Sequence, residues 1–265
     1  MTPELSQNKQ PIVVKIGTAL LTNTDGTLNT KYIDRVAEQI AELRAQGRTK
    51  IAIVTSGAVA AGVAETSEKT NGDLALKQAL ASIGQGRLMR SYEQAFKTHG
   101  LHAGQVLVDA RSLKCEITVK NMRAAVEAMW KIGGIPVFNE NDVLATAELE
   151  YMSNDILAAR LANTLDAREL ILLTNQDGVC DKNPDDHADA VFISNIVAGH
   201  YEHIDTNGKS DSGTGGMSLK FDAADLFKGT THIANGHNIE LKDVLLNEAQ
   251  KTTIRREDNA MAIYI

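Results

Sequence analysis

A series of short apolar runs without polar–apolar alternation constrains the fold more than any other feature of this chain. They are Pro11-Ile-Val-Val-Lys-Ile16, Ile51-Ala-Ile-Val-Thr55, Gln105-Val-Leu-Val108, Ile135-Pro-Val-Phe138, Glu169-Leu-Ile-Leu-Leu173 and His232-Ile-Ala234. A strand with one wet face alternates, so runs like these must be covered on both faces. Between them lie stretches of helical length: Thr30–Gln46 closed by Gly47, Asp73–Lys97 closed by His99-Gly100, Thr118–Lys131 ending at Gly133-Gly134, Asn154–Leu165 and Met217–Phe227. Strands alternating with helices in this way predict a three-layer α/β/α sandwich with a mainly parallel central sheet. No repeat, low-complexity tract or Pro-rich linker interrupts the pattern. Residues 1–265 therefore read as one domain, with residues 1–10 as a flexible polar tail.

In such sheets, ligands bind outside the carboxyl ends of the strands. Polar and glycine residues collect there: Lys15-Ile-Gly17-Thr, Thr55-Ser-Gly57, Asn139-Glu-Asn-Asp142 and Thr174-Asn-Gln-Asp-Gly178. The segment Ser210-Asp-Ser-Gly-Thr-Gly-Gly-Met-Ser-Leu-Lys220 adds three glycines in four positions before a helix. Such glycines are expected to adopt positive φ and turn consecutive N–H groups toward an anion, beside the positive end of the helix. Lys220 adds a full charge one turn in. This pattern suits nucleotide phosphates, although neither a Walker motif nor a Gly-x-Gly-x-x-Gly fingerprint is present.

A net charge of −7 argues against nucleic acid as a partner. The polar start lacks a signal-peptide core and no run approaches a membrane span, so a cytoplasmic protein is expected. Cys115 and Cys180 have no metal-ligand spacing and read as buried structural thiols in a reducing compartment. The seven histidines show no ligand spacing either, and no protein-held metal is expected. Trp130 reads as a core or interface residue.

Five separated motifs in order, Val14-Lys-Ile-Gly-Thr18, Val54-Thr-Ser-Gly-Ala58, Phe138-Asn-Glu-Asn-Asp142, Ser153-Asn-Asp155 and Gly213-Thr-Gly-Gly-Met-Ser-Leu-Lys220, resemble the glutamate 5-kinases of the amino-acid kinase fold family. Ser82-Ile-Gly-Gln-Gly-Arg-Leu88 is a further match. The resemblance implies ATP-dependent phosphorylation of the side-chain carboxylate of L-glutamate, the first step of proline biosynthesis. That carboxylate is ionised at neutral pH, so positioning and charge neutralisation rather than a general base should drive transfer. Lys15, Lys220 and Asp155 are then the catalytic set, with Asp155 organising the two lysines. Ser56, Gly57, Asn139, Asp142, Asn154 and Asp155 are implied for glutamate. Lys15, Gly17, Thr174, Asn175, Thr214, Gly215, Gly216, Met217, Ser218, Leu219 and Lys220 are implied for ATP, with Mg²⁺ carried by the nucleotide. N–H groups near Gly17 and Gly57 would cradle the transferring oxygens.

Each residue also has a structural reading. Lys15 could be a lysine snorkelling from a strand edge. Ser56 could cap the helix after Gly57, and Ser153 or Asn154 could be an N-cap. Asn139–Asp142 could be a solvated turn. The family usually has Asp at Asn175 and at Ser153. The alternatives are another kinase of the same fold, acting on acetylglutamate, aspartate, carbamate or UMP, or a nucleotide-sensing module. The family also implies a homodimer or homotetramer and proline as a feedback inhibitor. The C-terminal PUA domain of many members is not matched, which reads as a kinase-domain-only form.

Overall fold

The computed structural model describes residues 10–144, 153–205 and 216–257. The strands are β1 (Ile12–Ile16), β2 (Ile51–Val54), β3 (His102–Val108), β4 (Gly134–Glu140), β5 (Glu169–Thr174), β6 (Val179–Cys180), β7 (Phe192–Ile193), β8 (Asn195–Val197), β9 (Thr230–Asn235) and β10 (Thr252–Arg255). Eight of them form one sheet in the order β3-β4-β2-β1-β5-β9-β10-β8. The first six run parallel, whereas β10 is antiparallel to β9 and carries β8 parallel to itself. β6 and β7 form a separate hairpin.

The helices are α1 (Thr18–Leu21), α2 (Thr30–Ala45), α3 (Ala58–Thr66), α4 (Leu74–Lys97), α5 (Glu116–Lys131), α6 (Asn154–Thr164), α7 (Met217–Leu226) and α8 (Leu241–Leu246). Every residue of β1 and β2 is buried, which is why neither alternates. Successive β1 side chains enter opposite cores: Ile12, Val14 and Ile16 meet Ile33, Ile40, Leu88 and Phe96, while Val13 joins Trp130, Leu157 and Leu161. Trp130 is buried, with its indole N–H donating to the Ile51 carbonyl at 2.8 Å.

Helix termini follow local chemistry. Asn29 and Asp73 accept from the Tyr32 and Leu76 amides and so cap α2 and α4. Gly47 and Gly133, with φ of 91° and 80°, turn the chain after α2 and α5. Cys115 departs from the sequence reading. It is exposed at the start of α5, where the neighbouring Lys114, Glu116 and Ile117 are exposed too, and Cys180 is only half-buried. The segment after Gly236, unassigned by sequence, supplies α8 and β10.

Candidate active site

The carboxyl ends of β4, β2, β1 and β5 lie side by side, so the four polar segments read from sequence fall on one edge. Lys15 sits near the end of β1, Lys220 in the first turn of α7 and Asp155 in the first turn of α6. Lys15 Nζ lies 2.9 Å from Asp155 Oδ1, and Lys220 Nζ lies 3.3 Å from Asp155 Oδ2. All three residues are buried, at 7%, 1% and 6% exposure for Lys15, Asp155 and Lys220. The snorkelling reading of Lys15 is therefore overturned.

Burial alone would raise the Asp155 pKa, but the two ammonium groups together hold it below the ordinary carboxylate value. Its place at the positive end of α6 favours the same ionised form. Burial lowers the Lys220 pKa, opposed by Asp155 and assisted by the like charge of Lys15. The centre holds two cations on one carboxylate and so keeps a net positive charge. An arriving polyanion would complete that balance.

Beside it lies a cluster of neutral amides. Asn154 Nδ2 donates to the Thr55 carbonyl and to Ser56 Oγ, each at 2.9 Å, and to Asn139 Oδ1 at 3.3 Å. Asn139 Oδ1 also accepts from the Glu140 amide at 3.0 Å, and Asn139 Nδ2 donates to Gln85 Oε1 at 2.9 Å. Ser56 does not cap α3: Gly57 occupies the N-cap with φ 90°, and no side chain caps there. Ser153, by contrast, is the N-cap of α6, accepting from the Ile156 amide, which leaves the Asn154 side chain for the cluster. Asp142 opens a short 3₁₀ turn after β4. Burial raises its pKa, with the Lys77 charge acting in the opposite direction.

After β5, Thr174 Oγ1 donates to Asn175 Oδ1 at 3.3 Å, and Asn235 Nδ2 donates to the Asn175 carbonyl at 3.3 Å and to Asp177 at 2.8 Å. Two expectations need correction. The Gly17 N–H is already committed to the Leu173 carbonyl at 3.1 Å, because β1 and β5 remain paired to that point. Gly216 has φ −69° and ψ −176°, an extended conformation and not a positive φ. Met217, Ser218 and Leu219 form the start of α7. Thr214 and Gly215 lie outside the described residues.

Gln85, which the sequence offers only within the segment Ser82–Leu88, belongs to this cluster. The available signal was a glutamine flanked by Gly84 and Gly86, but mid-helix placement 54 residues from Asn139 hid the contact.

The amino acid kinase family model matches residues 10–234. A glutamate 5-kinase from Alkaliphilus oremlandii is 33% identical over 264 residues, covering 97% of this chain and 100% of the relative. One from Marinomonas sp. is 40% identical over 218 residues, covering 81% of this chain but 58% of that longer relative. The crystal structure of an isopentenyl phosphate kinase from T. acidophilum superposes with a TM-score of 0.65 at 17% identity, covering 92% of this chain and 100% of the other, a likeness of fold alone. With the motifs, the sheet and these relatives in agreement, the chain belongs to the amino acid kinase family and, within it, to the glutamate 5-kinases.

Proposed function

We propose that the protein transfers the γ-phosphoryl group of ATP to the side-chain carboxylate of L-glutamate, giving L-glutamyl 5-phosphate and ADP. The observation that carries this reading is the Lys15–Asp155–Lys220 centre, at 2.9 and 3.3 Å, beside an amide cluster suited to an amino-acid head group. Both reactants are anions, so the main barrier is bringing them together in line. Lys15 and Lys220 neutralise that charge, and Asp155 fixes both ammonium groups before substrate arrives. Such preorganised donors are each worth about 10²–10³ in rate. Ser56, Asn139, Asp142 and Asn154 hold the amino acid, while Thr174, Asn175 and the Thr214–Lys220 segment hold the nucleotide.

The nucleotide would carry Mg²⁺ in this reading, which would supply further charge neutralisation. Asp155, with both oxygens engaged by lysines, is not offered as its ligand. No described helix is long and apolar enough to cross a membrane. The wider setting we infer is a cytoplasmic homo-oligomer in proline biosynthesis, with residues 1–265 acting as one kinase domain and proline as a candidate inhibitor.

The test is ADP release with Mg-ATP and glutamate, acetylglutamate, aspartate or UMP, with hydroxylamine trapping any acyl phosphate. Glutamate-dependent γ-hydroxamate, lost in Lys15→Ala and Lys220→Ala, is the expected result. Turnover with a different acceptor overturns the substrate, and nucleotide binding without turnover overturns the enzyme.

A further inference from the structure

The polarity of the amide cluster is fixed by backbone groups that cannot swap roles. The Thr55 carbonyl only accepts, so the Asn154 atom facing it is Nδ2 and the other atom is Oδ1. The Glu140 amide only donates, so the Asn139 atom facing it is Oδ1, leaving Nδ2 for Gln85. Gln85 must then present Oε1 to Asn139, and its Nε2 becomes the spare atom. Gln85 Nε2 and Asn154 Oδ1 are both buried and have no hydrogen-bond partner among the described residues. Leaving buried polar atoms unmatched is unfavourable, so a complementary donor and acceptor in one cluster call for an explanation.

One spare donor and one spare acceptor, joined through Asn139, match the head group of a zwitterionic α-amino acid. The ammonium group requires acceptors: Asn154 Oδ1 is uncommitted, and the Asp142 carboxylate would be a second. The α-carboxylate requires donors, and Gln85 Nε2 is the uncommitted one. The opposite end of the substrate is fixed by charge: Asp155 follows Asn154 directly, so the cluster adjoins the two lysines that would draw the reacting carboxylate. Gln85 is placed by an unusually close helix contact. A Cβ on Gly84 would lie 1.9 Å from the Ala58 carbonyl oxygen, and one on Gly62 would lie 1.9 Å from that of Leu80. α4 therefore rests backbone to backbone on α3, and Tyr92 ties it to the end of β2 through Thr55 Oγ1 at 2.9 Å. With Gln85 only 8% exposed, its amide is held in place before any ligand arrives.

We propose that Gln85 is a specificity-determining residue whose Nε2 donates to the α-carboxylate of the amino-acid substrate. The proposal rests on the glutamate kinase reading above. Its test is steady-state kinetics of Gln85→Glu and Gln85→Met with L-glutamate and with L-isoglutamine, whose α-carboxylate is a carboxamide. Gln85→Glu keeps an oxygen for Asn139 and replaces only the spare donor. The glutamate KM should rise about 10- to 100-fold, the value of a hydrogen bond to a charged group, while the ATP KM stays unchanged. The isoglutamine KM should stay level or fall in Gln85→Glu, because a carboxamide can donate to the new oxygen. Equal loss with both acceptors would mean a structural role and overturn the proposal. So would an unchanged glutamate KM in an active variant. Absence of γ-hydroxamate from the unaltered protein would remove the kinase reading and this inference together, whereas wild-type activity with unaffected variants removes the inference alone.

Discussion

The charged centre and the amide cluster are neighbours on the same sheet edge, yet they are held by different interactions. Lys15, Asp155 and Lys220 are joined by ion pairs, and their excess is a net charge. Gln85, Asn139 and Asn154 carry no charge, and their excess is a pair of unmatched atoms. A charge excess attracts any polyanion from a distance, whereas unmatched amide atoms reward only a ligand of the right shape. In the proposed reaction, capture of phosphate and selection of the amino acid would therefore rest on different physics.

The largest expected effect comes from Asp155→Ala, which leaves two buried ammonium groups facing each other. Breaking such a pair costs about 3–5 kcal/mol, and chemical denaturation should show that loss together with loss of turnover. Lys220→Met and Lys15→Met should each lower kcat by about 10²–10³ while the glutamate KM moves little, since they act on the transferring group. Asn154→Ala should do the reverse, raising the glutamate KM about 10-fold or more through its lost acceptor. If both classes of variant changed the same kinetic constant, the division between charge and shape would fail. Gly84→Ala should separate α4 from α3, costing about 2–3 kcal/mol in thermal or denaturant unfolding. It should also raise the glutamate KM without touching that of ATP.

The smallest effects concern pH. The folded Asp155 pKa lies below its ordinary 3.8, so its stabilisation is complete above that value and fades as pH falls through the folded pKa. His232, buried between Glu169 and Thr253, has its pKa lowered from 6.5 by burial, with the Glu169 contact opposing. Its contribution is complete above 6.5 and is lost as pH falls toward the folded value. Denaturation of His232→Gln between pH 5 and 7, read as a dependence on pH shallower than in the unaltered protein, checks this sign. On the basic side, the lowered Lys220 pKa should bring the fall of kcat/KM below the usual lysine value of 10.5.

The sequence made the sheet centre legible because β1, β2 and β5 are buried on both faces and written in Val, Ile and Leu. β3 was read three residues short, since His102-Ala-Gly on an exposed edge forms no apolar run. β8 and β10 were invisible for a related reason: they are short, and the threonines of β10 face buried polar partners such as the Val179 amide and His232. At the site, Lys15 and Asp155 stood out because a charge in an apolar setting is conspicuous. Gln85 did not, because its meaning depends on which atoms of Asn139 and Asn154 are already engaged. That information exists only once β4, α6 and the end of β2 are side by side.

The strand order has a consequence for how the chain is made. Ile12 pairs with Ile51 on one side and Glu169 on the other, so β1 is made well before its second neighbour in the sheet. Until β5 is synthesised, the nascent protein carries an apolar strand edge open to any extended peptide nearby. Slower translation of the segment up to β5 should therefore lengthen that exposure and lower the yield of folded protein.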